Sequence, residues 1–324
     1  MSNDGKRPGC FKYGCVGCLS LGALSVALIF LVSAIHLTVE PEDPRPEERS
    51  LSQDLPQPPA IRYPAADAPQ MPGDVTLPEP PRPPAGRVVL DLSMGEFIVR
   101  PGPEGEPIRV DADFDAGTFE LTESFEETAD GWTYEVKFAS RRGFLGMLFG
   151  GGHQGNNRVE VTIPRGQLVD VVGEIGLGES EIDLGGLWLR QVDLDFGAGD
   201  HFVEFREPLP FPMESFVVDA SVGELEIRHL GEGSPRTVDV DHGIGELFVD
   251  LQGSWRQDAT VDIDFGIGES RLWLPDDVRV DIERARVAIG ERDVEWPDQD
   301  DLPADVPTLT VSLSGNIGEI SIEF

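Results

Sequence analysis

The sequence predicts an all-β protein, a single-stranded β-solenoid (β-helix) of coils about 22 residues long, behind an N-terminal transmembrane helix and a Pro-rich linker. Three observations carry that expectation. A glycine-acid mark recurs at Gly176-Leu177-Gly178-Glu179, Gly197-Ala198-Gly199-Asp200, Gly243-Ile244-Gly245-Glu246 and Gly266-Ile267-Gly268-Glu269, with reduced forms at Val222-Gly223-Glu224, Ile289-Gly290-Glu291 and Ile317-Gly318-Glu319. Around each mark apolar and polar residues alternate. The first 40 residues, finally, differ in kind from everything that follows.

Those first residues set the cellular address. Lys6, Arg7 and Lys12 precede an apolar run over 16–39, and Glu40, Glu42 and Asp43 follow it. About 20 apolar residues cross a bilayer, and basic residues before the run place the N-terminus in the cytoplasm. The predicted organisation is therefore a cytoplasmic segment over 1–15, an anchor over 16–39, and a single-pass cell-membrane protein whose C-terminal part lies outside. Val32-Ser33-Ala34 also fits a signal-peptide cleavage site, and either reading exports the remainder. All three cysteines, Cys10, Cys15 and Cys18, lie at this end, so the exported part has no thiol for a disulfide.

The linker spans 40–86. It carries Pro41, Pro44, Pro46, Pro56, Pro58, Pro59, Pro80, Pro81, Pro83 and Pro84 among others. Proline fixes φ and supplies no amide donor, so neither helix nor central strand is expected here. A semi-rigid stalk and a linker without a length requirement are both compatible with such a composition.

Beyond Arg87 the alternation is that of half-buried strands: Val261, Ile263, Phe265 and Ile267 face one way, with Asp262 and Asp264 between them. Val238 to Asp241 and Val192 to Asp195 repeat the pattern. Each mark is read as a glycine corner, where a backbone of unusual φ lets one coil sit close upon the next. A β-sandwich also uses short strands but needs no constant corner. An N-terminal β region and cap is expected over 87–165 and the repeats over 166–324. Ser93 to Val99 and Asp115 to Leu121 look like degenerate units, with glycines at 95 and 117. Trp132 to Val136 and Arg158 to Ile163 read as a strand pair flanking an insertion. The final strand, Ile320 to Phe324, is expected to leave an exposed edge for a partner or a second copy.

The strand pair, Ile163-Pro164-Arg165-Gly166, Ile175-Gly176-Leu177-Gly178-Glu179 and Leu184-Gly185-Gly186-Leu187 together resemble the bacterial toast-rack and putative-adhesin domains, and the C-terminal part of LiaF-type cell-wall-stress response proteins. The likeness covers roughly residues 88–324. It implies a repetitive β fold and brings no catalytic residues with it. The multi-helix membrane region of LiaF-type proteins has no counterpart here.

Sixty acidic residues against 25 basic ones give a formal charge of −35, which argues against nucleic acid as a partner. The five histidines are dispersed, and the Gly-x-Gly pairs lie between strands without a following helix or lysine, so no nucleophile site or phosphate cradle is expected. Stacking in register would align Glu179, Asp200, Glu224, Glu246 and Glu269 in one column. Asp193, Asp239 and Asp262 would form another, with Asp195, Asp241 and Asp264 beside it. Carboxylates about 5 Å apart repel by roughly 1 kcal/mol in water and roughly 3 at an effective dielectric near 20. Calcium, with its preference for hard oxygen ligands, would relieve this. A solvated acidic face eased by Arg228, Arg271 and Arg279 accounts for the same residues. Asp111-x-Asp113-x-Asp115 resembles the opening of a calcium loop. Phe144, Leu145, Leu148 and Phe149, in a glycine-rich insertion, fit either a membrane or partner contact or a cap over the end of the stack.

The functional expectation is a non-catalytic, membrane-anchored envelope domain for binding, sensing or adhesion, needing no cofactor. Its partner would be an envelope protein or glycan. Self-assembly is the alternative, and a polysaccharide-processing enzyme on a β-helix scaffold the weaker one.

Overall fold

The computed structural model describes residues 46–50, 86–128, 131–141, 157–295, 299 and 302–324. The apolar run over 16–39, most of the linker and the Phe144–Phe149 insertion lie outside them. The described strands are β1 (Pro46–Ser50), β2 (Gly86–Gly102), β3 (Arg109–Asp115), β4 (Phe119–Thr128), β5 (Gly131–Ser140), β6 (Arg158–Pro164), β7 (Leu168–Asp183), β8 (Trp188–Glu204), β9 (Ser215–Arg228), β10 (Thr237–Asp250), β11 (Ala259–Trp273), β12 (Arg279–Val294) and β13 (Thr308–Glu323). Among the described residues the one helical element is a 3-10 turn, Leu230–Glu232. The protein is all-β.

All the strands join one 13-stranded sheet, with the order β1-β3-β6-β2-β7-β8-β9-β10-β11-β13-β12 and the β4–β5 hairpin attached to β2. From β2 through β12 the neighbours along this path run parallel, and their glycines are in register: Gly95, Gly178, Gly199, Gly223, Gly245, Gly268, Gly318 and Gly290 sit side by side. Core residues align with them. Val192, Phe216, Val238, Val261 and Val311 form one buried row before the glycine, and Val203, Ile227, Val249, Leu272 and Ile322 form another after it. Burying each such side chain contributes about 1.5–3 kcal/mol, which is why the alternation dominates the fold.

Gly245 shows what the mark does. Its φ is +141°, outside the range open to other residues, and a Cβ placed on it would lie 1.8 Å from the carbonyl oxygen of Gly223 on the neighbouring strand. The same corner shifts the alternation by one residue. Val238, Val240 and His242 are buried before it, Leu247 and Val249 after it, so Ile244 points outward. The expectation that Ile267 continues the buried face of Phe265 is therefore corrected: Phe265 is 4% exposed and Ile267 is 46% exposed.

Four further expectations change. Gly117 is not a corner glycine. It sits in the turn between β3 and β4, where the Asp115 carboxylate accepts the Gly117 amide at 2.9 Å and the Thr118 hydroxyl at 2.6 Å. The apparent calcium loop thus ends in an Asx turn. Second, Trp132–Val136 and Arg158–Ile163 do not pair with each other: β5 runs beside the first half of β2 and β6 beside its second half, both parallel to it. Third, Pro46–Ser50 forms a strand inside the predicted linker, antiparallel to β3. It is the end strand of the sheet, the position proline tolerates.

The fourth concerns the C-terminus, which is not the open edge. The last strand, β13, is inserted between β11 and β12. Leu309, Val311, Leu313, Ile320 and Ile322 of β13 are all buried, whereas β12 is largely exposed and carries Arg279, Arg284, Arg286 and Arg292 among its acids. The strand with the better apolar face takes the interior slot. The charged strand, with a register shift at Ile282/Arg284, takes the edge, where charge and irregularity discourage pairing.

Candidate recognition surface

The register that stacks the glycines also stacks whatever lies beside them. Two positions before the first corner glycine, on the outer face, come Asp195, Asp219, Asp241 and Asp264, continued by Ser314 and Arg286. Next comes a row of small residues: Gly197, Ser221, Gly243, Gly266 and Asn316. Immediately after it lies the row Met94, Leu177, Ala198, Val222, Ile244, Ile267, Ile317 and Ile289. Two residues further on comes the acid row Glu96, Glu179, Asp200, Glu224, Glu246, Glu269, Glu319 and Glu291.

The five acids expected in one column, Glu179, Asp200, Glu224, Glu246 and Glu269, thus stand side by side on successive strands, whose spacing is about 4.8 Å. The Glu224 carboxyl is held above the ordinary carboxylate range by partial burial, with Glu246, Asp200 and Glu226 adding repulsion. Glu269 is relieved by Arg271 at 2.7 Å and Glu226 by Arg228. Among the described residues no three His, Cys, Asp or Glu converge as a metal ion requires, the carboxylates being strung along the stack. The second expected column, Asp193, Asp239 and Asp262, is interrupted by Val217 of β9. The third, Asp195, Asp241 and Asp264, gains Asp219. Burial and neighbouring aspartates raise both Asp239 and Asp241. Arg279 stands on the edge strand β12, away from these rows.

Sequence reasoning missed the aliphatic row. Among the described residues six large hydrophobic side chains are exposed, and Val222, Ile244, Ile267, Ile289 and Ile317, 44–66% exposed, all fall on it. A signal was present: the residue before the second glycine of each mark is aliphatic every time. Alternation assigned it inward because alternation alone does not register the corner's shift.

Two grooves flank this row. One, of about 1090 Å³, is lined by Asp219, Asp241 and Asp264, floored by Ser221, Gly243 and Gly266, and bordered by Ile244. Arg284 and Arg286 close its β12 end. The other, of about 360 Å³, lies past the acid row between Glu224, Glu246, Arg228, Phe248, Arg271 and Trp273. There Phe248 and Trp273 meet edge-on at 5.0 Å, and the Arg228 guanidinium lies 5.4 Å from the Phe248 ring centre, a cation–π contact.

Beneath the surface, His201 occupies a core position, 3% exposed, stacked on Phe196 at 4.4 Å with its Nδ1 2.9 Å from the Ser180 hydroxyl. Its Nε2 has no hydrogen-bond partner among the described residues. Burial lowers its pKa to about 4, so the ring is neutral at physiological pH.

No protein-family model matches the chain, and no curated protein matches it. Among solved structures it is similar to one described as "a putative cell adhesion protein" from Clostridium sporogenes, with a TM-score of 0.40 and 12% identity over 86% of this chain and 99% of that one. It is also similar to "a putative adhesin" from Bacteroides fragilis, with a TM-score of 0.38 and 8% identity over 87% of this chain and 98% of that one.

Proposed function

We propose that the chain is a non-catalytic, adhesion-type binding module of the cell envelope, a β-solenoid held on a Pro-rich stalk by a single membrane anchor. Chain length supports the solenoid reading. Straight, β7 would extend about 53 Å at ~3.3 Å per residue. The four residues over 184–187 that follow span at most about 18 Å, yet β8 begins beside the start of β7 and runs parallel to it. A turn of the strand back on itself, at the glycine, accounts for this short return.

The observation that carries the binding reading is the aliphatic row. Five large apolar side chains held in water at one position on successive strands have no role in the core, and exposed apolar surface of this extent marks contact with another molecule. Its outward placement, with acids on both sides as far as β11, suits recognition of something extended along the stack.

The anchor and its orientation are tested in whole cells. The full chain should sediment with membranes and resist carbonate extraction, and protease added outside the cytoplasmic membrane should remove the β domain while leaving an N-terminal tag intact. Release of the whole chain by carbonate, or protection of the β domain in cells with a permeable outer envelope, would contradict this placement.

A further inference from the structure

We propose that the corner of the stack binds a cationic amphipathic α-helix, its apolar stripe on the aliphatic row and its basic flanks against the two acid rows. The inference rests on the reading of the chain as a binding module, though not on where in the cell it is displayed.

In cross-section the surface runs acid, small, aliphatic, acid: Asp241, Gly243, Ile244, Glu246 on β10 and Asp264, Gly266, Ile267, Glu269 on β11. That sequence holds from β7 (Glu174, Gly176, Leu177, Glu179) through β11, so the complementary ligand must also be constant along its own length. A helix with one apolar face and basic residues on both sides of it has this symmetry. An extended peptide lying along the stack does not, because its side chains alternate between opposite faces.

The dimensions agree. The part of the row flanked by acids on both sides, Leu177 to Ile267, crosses five strands, β7 through β11, about 19 Å at ~4.8 Å each. That is the length of about 13 helical residues at ~1.5 Å per residue, and the helix's ~5.4 Å pitch lies close to the strand spacing. Leu177 and Ala198 within that span are partly exposed, and the partly exposed Met94 on β2 prolongs it. The groove of about 1090 Å³ beside the row gives the basic flank room to reach Asp219, Asp241 and Asp264.

Charge selects among occupants. Asp241 in one acid row and Glu224 in the other hold carboxyls raised by burial and by neighbouring carboxylates, so each gains from an incoming cation. A net charge of −35 steers cations in and opposes both an anionic bilayer and a second copy of the chain laid face to face. Arg284 and Arg286 repel a basic helix at the β12 end and confine it to the strands before it.

The test uses the full chain and a synthetic leucine–lysine peptide of about 18 residues, with leucine at helical periodicity, labelled for fluorescence anisotropy. Its companion has the same composition in scrambled order. The periodic peptide should bind with a gain in helical circular dichroism, and roughly tenfold or more tightly than the scrambled one. Ile244→Thr with Ile267→Thr should weaken binding by at least about tenfold at an unchanged melting temperature, since both side chains already stand in water. Glu246→Gln with Glu269→Gln should weaken binding and flatten its salt dependence. Equal binding of the scrambled peptide, or full binding by the isoleucine variant, would overturn the proposal. So would a dimer of the unliganded chain that dissociates in the isoleucine variant, because the row would then belong to a second copy. Loss of the periodic-peptide preference alone, with membrane fractionation as expected, would leave the envelope reading standing.

Discussion

Gly245→Ala is expected to destabilise the chain by roughly 4 kcal/mol, the upper end of what one added methyl does. Two costs combine. At a φ of +141° an alanine is strained by about 1–3 kcal/mol. Its methyl would also lie 1.8 Å from the Gly223 carbonyl oxygen, a backbone atom fixed by the sheet, so the adjacent strands must part. Gly105 separates the two contributions. It too has positive φ, +80°, but a Cβ there meets none of the described residues within 4 Å. Gly105→Ala should cost only about 1–2 kcal/mol. Urea denaturation of both variants checks the difference. Equal losses would mean that the corner is not closely stacked.

The second large effect belongs to pH. His201 is neutral and buried in the folded chain with a pKa of about 4, against an ordinary value of 6.5. Above pH 6.5 the ring is neutral in both folded and unfolded chains and contributes nothing to the dependence. Between 6.5 and 4 the unfolded chain binds a proton that the folded chain refuses, so stability falls as the pH falls, by about 3 kcal/mol in total. Below 4 both forms are protonated and the loss stops growing. The buried His242, also lowered, acts with the same sign. The raised carboxyls of Glu204, Glu224, Asp239 and Asp241 act against it. A difference measurement isolates the one residue. His201→Leu places at this position the side chain that Leu225 and Leu247 already supply on the next two strands. The stability of this variant relative to the parent should rise by about 3 kcal/mol between pH 7.5 and pH 4. A difference independent of pH would show that His201 is hydrated in the folded chain.

Much of this architecture was legible because one row of glycines fixes register. Once Gly178, Gly199, Gly223, Gly245 and Gly268 are aligned, every residue at a constant offset is aligned as well, and the acid row follows without further information. What the offset does not convey is direction. Ile244 and Ile267 continue an apolar alternation on paper, and only the positive φ of the following glycine turns them into water. Strand order was equally hidden. The interval of 28 residues between Gly290 and Gly318 was the one irregular step, but a longer loop and an exchanged position read alike in sequence. The exchange follows from comparing apolar faces, five buried aliphatics on β13 against a largely exposed β12 rich in charge. Gly117 misled for the opposite reason: its distance from Gly95 matched the period, while its neighbour Asp115 made it a turn. Asp219 escaped because its mark lacks the first glycine, leaving Ser221 in that place.

The account as a whole rests on strands stacked glycine upon glycine, with the aliphatic row outward and β13 between β11 and β12. Paired cysteines test all of this at once. A disulfide requires Cα atoms about 4.4–6.8 Å apart, which in-register neighbours on adjacent parallel strands satisfy and second neighbours, at about 9.6 Å, do not. In a background where Cys10, Cys15 and Cys18 are replaced by serine, Ile267→Cys with Ile317→Cys should form a disulfide under mild oxidation without denaturant. Ile267→Cys with Ile289→Cys, although closer in sequence, should not. Cross-linking of the second pair in preference to the first would contradict the strand order and the recognition surface built on it.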